Sequence, residues 1–124
     1  MTTTSDSRRT ETGAVTAEAA VVMPVLLLLA LGLAWLVALG ATQVRVLDAA
    51  RETARAAARG EDVDTSIGLG RRVATAGARF SIRDEGDTIE VTVEAPVRGP
   101  GGIFGFLPTY DARAHAVAAK EPGS

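Results

Sequence analysis

Gly13-Ala14-Val15-Thr16-Ala17-Glu18, followed by Ala19-Ala-Val-Val-Met23-Pro24-Val-Leu-Leu-Leu-Leu-Ala30-Leu-Gly-Leu-Ala34-Trp35-Leu-Val-Ala38-Leu-Gly-Ala-Thr42-Gln-Val44, is the stretch that decides the fold. Residues 19–44 carry no charge. As a helix this run measures about 39 Å at ~1.5 Å per residue, more than the ~30 Å hydrocarbon core of a bilayer. Soluble core helices are rarely this long and this apolar on every face, so the run reads as a membrane-inserted segment. A single carboxylate, Glu18, stands at its mouth, five residues after a glycine. A charge at a bilayer centre costs on the order of 2.5–3.5 kcal/mol and less near the edge, so such a residue has a partner or a task.

Working outward, residues 1–12 are polar, rich in Thr and Ser, and carry Arg8 and Arg9. They lack apolar periodicity and read as a disordered leader. Ser7-Arg8-Arg9 resembles a twin-arginine signal only in part, because Glu11 and Thr12 follow where apolar residues belong. Three readings fit residues 13–44. A secretory signal would be cut near Ala38-Leu39-Gly40, although the apolar run exceeds the usual core of such a signal. A plain signal anchor would leave Glu18 as the last residue outside lipid. The third reading uses Gly13 and Glu18 together: glycine lets a protease approach the backbone closely, and a carboxylate four residues beyond a freed Ala14 amine could meet an amine of opposite charge.

This third pattern resembles the class III signal of type IV pilins and pseudopilins. The segment Ala20-Val-Val-Met-Pro24-Val-Leu-Leu-Leu-Leu29 and the continuation Asp48-Ala-Ala-Arg-Glu-Thr-Ala-Arg-Ala-Ala-Ala-Arg-Gly60 resemble the TadE-like minor pilins of the tight-adherence system. Ala19 departs from the phenylalanine that many members carry. The resemblance implies cleavage between Gly13 and Ala14 by a membrane prepilin peptidase on the cytoplasmic side, a role for Glu18 in assembly, and other pilin or pseudopilin subunits as partners. It further implies a minor component, an initiator or adaptor, in a single-pass protein of the cell membrane or a surface pilus, with its N-terminus cytoplasmic and its C-terminal domain outside. The positive-inside tendency taken alone points the other way, since Arg45, Arg51, Arg55 and Arg59 outnumber Arg8 and Arg9.

Pro24 predicts a helix kink around residues 20–24, tolerable in a membrane helix whose neighbours re-satisfy the freed carbonyl. Ala30, Ala34, Ala38 and Thr42 recur every four residues and form a candidate helix-packing seam, with Trp35 a packing residue near mid-membrane. No helix stop follows until Gly60, a C-cap. Leu47, Ala50, Ala54 and Ala57 share a face, Asp48–Arg51 and Glu52–Arg55 are possible i,i+3 pairs, and one helix is predicted from about Ala14 to Arg59. Residues 64–78 read as a second, shorter helix weakened by Gly68, Gly70 and Gly77. Gly68-Leu-Gly70 glances at a dinucleotide fingerprint, but no strand precedes it and the last glycine is missing.

Residues 78–83 and 88–97 alternate apolar and polar. Phe80 and Ile82 point one way; Ile89, Val91, Val93, Ala95 and Val97 share one face and Glu90, Thr92 and Glu94 the other. With Asp84-Glu85-Gly86-Asp87 between them they predict a β-hairpin. Residues 110–119 are a candidate third strand, with His115 exposed. In the loop between, Ile103, Phe104, Phe106 and Leu107 either cover the end of the sheet or contact another subunit.

The expected fold is thus α+β: a long N-terminal transmembrane helix continuing outside the membrane, a short second helix and a small antiparallel sheet of two to three strands. The expected divisions are a leader at 1–13, a transmembrane helix at 14–44, its extension at 45–60, a small extracytoplasmic domain at 61–119 and a tail at 120–124.

With 13 basic and 15 acidic residues the net charge is -2, which gives nucleic-acid binding no support. The absence of cysteine excludes disulfides and thiol chemistry. One histidine is too few for most metal sites, and Asp62 and Asp64 read as a helix start. No catalytic, cofactor or metal site is expected, no enzyme activity, and no small-molecule substrate. The expected class is an assembly protein. The alternatives are an uncleaved, membrane-anchored extracytoplasmic binding module and a secreted domain released near Ala41.

Overall fold

The structure is a computed structural model that describes residues 3–98 and 110–123. In chain order it contains α1 (Thr3–Ala58), α2 (Val63–Arg71), β1 (Arg79–Asp84), β2 (Thr88–Pro96) and β3 (Asp111–Ala119), which is the α+β fold expected. By packing the chain forms two units, Met1–Ala34 and Trp35–Ser124, and α1 runs through both.

The described residues of the first unit are all helical. Val21, Val22, Met23, Val25, Leu26, Leu27, Leu28, Leu29 and Leu33 are all exposed. They lie on every side of the helix, so no single apolar stripe exists to face a protein core. Among the described residues α1 is the one helix long and apolar enough to cross a membrane. One expectation changes here. Residues 3–12, expected to be disordered, are helical. Extending an existing helix avoids the cost of nucleation, and the Thr12 and Thr16 hydroxyls donate to the carbonyls of Arg8 (2.9 Å) and Thr12 (2.8 Å) one turn back. Pro24 lies inside α1, which continues on both sides of it.

The second unit is built on the sheet. Strand order is β1-β2-β3, antiparallel throughout. β2 alternates strictly, with Ile89, Val91, Val93 and Ala95 buried, as the period-2 pattern predicts. Ala112 and Ala114 of β3 join them. The other wall of this core is α1, through Val46, Ala49, Ala50 and Ala54. Full burial of a valine such as Val91 or Val93 contributes about 1.5–3 kcal/mol. The buried stripe of α1 is wider than the predicted Leu47-Ala50-Ala54-Ala57 face, since Thr53, Ala56 and Ala58 are buried as well. Gln43 Nε2 donates to the Arg113 carbonyl at 2.9 Å, so the folded unit includes residues before Arg45. Of the two expected helix pairs, Asp48–Arg51 closes to 4.0 Å, while Glu52–Arg55 is not within ion-pair distance.

α1 ends as its sequence predicts. Gly60 has φ +88, a left-handed conformation that costs glycine nothing. Glu61 N–H donates to the Ala56 carbonyl (3.2 Å) and Gly60 N–H to that of Ala57 (3.1 Å), the paired bonds of a Schellman ending. α2 starts at its N-cap Asp62, which accepts from Thr65 N–H at 3.1 Å. It stops at Arg71, seven residues before the expected end at Ala78. The chain then turns through Gly77, at φ +82, into β1. Gly70, read from sequence as a weak point of the helix, is fully packed. A Cβ there would overlap Thr53 Oγ1 and stand 2.8 Å from Phe80 Cε1 and 3.0 Å from the Ala49 carbonyl oxygen. Glycine is what lets α2 approach α1 and β1.

Candidate functional site

The sequence reading concentrates function at the N-terminal end of α1. Gly13, Ala14 and Glu18 are all exposed there, and a Cβ added to Gly13 would meet nothing within 4 Å. Ala14 and Glu18 are four residues apart on one helix and therefore share a face one turn apart. The Gly13–Ala14 peptide lies within helical backbone. Ile103, Phe104, Phe106 and Leu107, the candidate subunit contact, fall outside the described residues. Of the small-residue seam, Thr42 is buried and its hydroxyl donates to the Ala38 carbonyl (2.8 Å), while Ala30 is exposed.

The structure adds a charged face that the sequence reading saw only in part. On the side of the sheet away from α1, β2 presents Glu90, Thr92 and Glu94. The register sets Arg83, Ser81 and Arg79 of β1 beside them, and Val117, His115 and Arg113 of β3 on the other flank. Arg79 bridges Glu94 (3.2 Å) and Asp111 (3.0 Å), and Arg113 also pairs with Glu94. Arg83 lies 3.9 Å from Glu90, and His115 Nδ1 lies 3.0 Å from Thr92 Oγ1 and 3.7 Å from Glu90. The central row is acidic and its flanks are basic, the cross-strand pairing that stabilises a sheet. His115 is an exposed strand residue, as expected.

Among the described residues, three carboxylates are held below their ordinary values. Hydrogen bonds from Arg79 and then Arg113 lower Glu94. Lys120 Nζ, 2.6 Å away, lowers Asp84, with help from Gly86 N–H. The Thr65 hydroxyl and N–H lower Asp62 at its cap. A depressed folded-state pKa contributes stability that is present above the unfolded-state value and lost as pH falls through the folded one. Denaturation midpoints measured from pH 7 downward should therefore stay level to about pH 5 and fall below about pH 4. Glu94→Gln should flatten that fall.

The second unit also holds a cavity of about 480 Å³ between α2, the end of α1 and β1, lined by apolar residues that include Ile67, Phe80, Ile82 and Ile89. No signal for it exists in a linear reading, because its walls come from the end of α1, α2, β1, β2 and Lys120. Among the described residues no group of three or more His, Asp or Glu side chains is placed to hold a metal.

Comparison with known proteins adds to this geometry. Residues 13–55 match the family of TadE-like proteins. The match starts at Gly13, covers the apolar run and continues along the alanine face of α1. A Mycobacterium tuberculosis protein named Apoptosis inhibitor Rv3655c is 40% identical over 82 residues, or 66% of this chain and 59% of that protein. The chain thus spans less than two thirds of that relative's length. No solved structure matches. Over residues 13–55 the chain is thus similar to the TadE-like proteins.

Proposed function

We propose that this chain is a minor pilin or pseudopilin of a tight-adherence type pilus, an assembly component and not an enzyme. A prepilin peptidase cuts it between Gly13 and Ala14, and the product takes part in pilus assembly or initiation. The observation that carries this reading is the TadE-like match, which begins at Gly13 itself and runs to residue 55. The protein is then a single-pass membrane protein, its N-terminus cytoplasmic and its sheet domain outside. Partners are the peptidase and other pilin or pseudopilin subunits.

The chemistry rests on Gly13 and Glu18. A peptidase needs the Gly13–Ala14 bond freed from its helix. Glycine makes a helix position about 1 kcal/mol less stable than alanine does, which favours opening there. Once cut, the chain begins with the Ala14 amine. In a bundle of parallel helices, Glu18 of one copy pairs with that amine on a neighbour, which cancels a costly membrane-edge charge and fixes axial register.

Glu18→Ala is the test. The variant should reach the membrane in normal amount, because α1 keeps its length and gains hydropathy. Surface fibre, counted by electron microscopy of the host, should fall at least tenfold. Normal fibre numbers would remove Glu18 from the assembly mechanism.

A second reading is an uncleaved single-span anchor carrying an extracytoplasmic binding module. The observation in its favour is that α1 runs unbroken through Gly13.

A further inference from the structure

We propose that the folded unit sits directly on the bilayer and binds anionic phospholipid headgroups through the end that carries Arg45, Arg72 and Arg98. The inference rests on the reading of α1 as a membrane span, and not on leader cleavage or on which side of the membrane the unit lies.

The geometry sets that end at the membrane surface. The uncharged run ends at Val44, and Arg45 is the first charge after it. Gln43, still inside the run, already holds the Arg113 carbonyl of β3 at 2.9 Å. No spacer therefore separates the apolar run from the sheet. At the other end of α1, Glu121 N–H, just past β3, donates to the Ala58 carbonyl (3.1 Å). These two bonds lay β3 along α1, its start beside Gln43 and its end beside Ala58. Register then fixes what else lies at the near end. Arg79, Glu94 and Arg113 form one cross-strand row, and Val97 N–H meets the Tyr110 carbonyl (2.8 Å) beyond it. A Cβ on Gly77 would meet Pro96 and Arg98, and one on Gly70 would meet Thr53 and Ala49, so Arg72 falls between those two levels. Leu36, Val37 and Val44 are exposed on this stretch of α1, an apolar surface that lipid covers. Tyr110 is exposed at this end, and tyrosine is enriched at membrane interfaces.

Charge divides along the same axis, with Thr53 of α1 and Thr92 of β2 as its midline. In the near half Arg51, Arg79 and Arg113 pair with Asp48, Asp111 and Glu94. Arg71, 5.2 Å over the Phe80 ring, is offset in number by Glu52. Arg45, Arg72 and Arg98 remain. All three are exposed, and none forms an ion pair among the described residues. Residues 99–109, between Arg98 and Tyr110, contain no charged side chain and leave this balance unchanged. The far half has the opposite sign. Arg55, Arg59, Arg83 and Lys120 face eight carboxylates there, grouped at residues 61–64, 84–90 and 121. α1 rises about 22 Å from Gln43 to Ala58 at ~1.5 Å per residue. That exceeds twice the ~10 Å screening length at 0.1 M salt, so the acids at the Ala58 end do not cancel the near arginines.

The same distance selects the occupant. Copies standing side by side in one bilayer keep their unlike ends a helix-length apart, so the acids of a second copy do not reach the basic end. The headgroup layer does lie against it, and anionic headgroups attract juxtamembrane arginines.

The chain has no cysteine, so a single fluorophore can be placed on Ala76→Cys at the near end or on Ala119→Cys at the far end, both exposed positions. The full chain is loaded at one copy per lipid nanodisc. The discs are phosphatidylcholine alone or equal parts phosphatidylcholine and phosphatidylglycerol, each with a trace of lipid whose nitroxide headgroup quenches the label on contact. In mixed discs quenching at Ala76→Cys should exceed that at Ala119→Cys at least threefold. It should drop at least twofold in neutral discs, and also at about 1 M salt, where the screening length is about 3 Å. Arg45→Gln, Arg72→Gln and Arg98→Gln combined should remove the gain from anionic lipid, and Lys at the same three positions should keep it. Arg55→Gln with Arg59→Gln, in the far half, should leave it unchanged, and circular dichroism checks that the variants fold. Quenching that ignores phosphatidylglycerol, survives the triple Gln variant or is equal at the two labels would overturn the docking alone. A chain that does not enter the discs would overturn the span reading together with it.

Discussion

Gly70→Ala should destabilise the folded unit by about 2 kcal/mol, although the same change on an exposed helix would stabilise it by about 1 kcal/mol. The added Cβ overlaps Thr53 Oγ1 and crowds Phe80 Cε1 at 2.8 Å. A side chain can swing aside. The Ala49 carbonyl oxygen, 3.0 Å away, belongs to the backbone of α1 and cannot. Forcing a group into such a site costs about 1–3 kcal/mol and sometimes more, which outweighs the helix gain. Chemical denaturation in detergent gives the number. Thr53→Ala in the Gly70→Ala background removes the closest obstacle and should recover part of the loss. Two additive effects would contradict the packing account, because coupled neighbours do not add.

Ala50→Leu should cost about 3 kcal/mol and reduce the cooperativity of unfolding. Ala50 is fully buried between α1 and the sheet, in a cluster with Val46, Ala49, Ala54, Val91 and Val93. Alanines on this face let the helix lie close to the strands. Three extra heavy atoms must displace either the helix or fully buried valines, and close-packed interiors resist both. Arg51→Leu is the control. Arg51 is exposed, and its ion pair with Asp48 stands at the 4.0 Å limit, so the change should stay within about 0.5 kcal/mol. Equal effects at the two positions would mean that α1 does not seat on the sheet through this face.

These two residues also show where the sequence is legible and where it is not. The membrane-length run, the hairpin and the Gly60 ending rest on local rules: hydropathy over many residues, period-2 alternation and a left-handed glycine. Each can be read without knowing what lies across the core. Gly70 and Ala50 cannot. A glycine in a helix looks like a weakness until another helix is seen against it, and an alanine face looks feebly apolar until strands cover it. The polar face divides the same way. Glu90, Thr92 and Glu94 announce themselves by alternation within β2. The basic partners became visible only with the register, although Asp111, Arg113 and His115 already alternate with alanines in β3. The N-terminal segment shows the converse: threonine-rich sequence without periodicity reads as coil, yet it continues a helix already nucleated downstream.

The central claim concerns the N-terminus of the mature protein. The most direct measurement is the intact mass and N-terminal sequence of the chain purified from its native membranes. The pilin reading predicts a chain that begins at Ala14 and is lighter than the full translation product by its 13-residue leader. A chain that begins at Met1 contradicts it and leaves a membrane anchor bearing a binding domain. A chain that begins near Thr42 contradicts it as well, since Gly13 and Glu18 would then be discarded with a secretory signal.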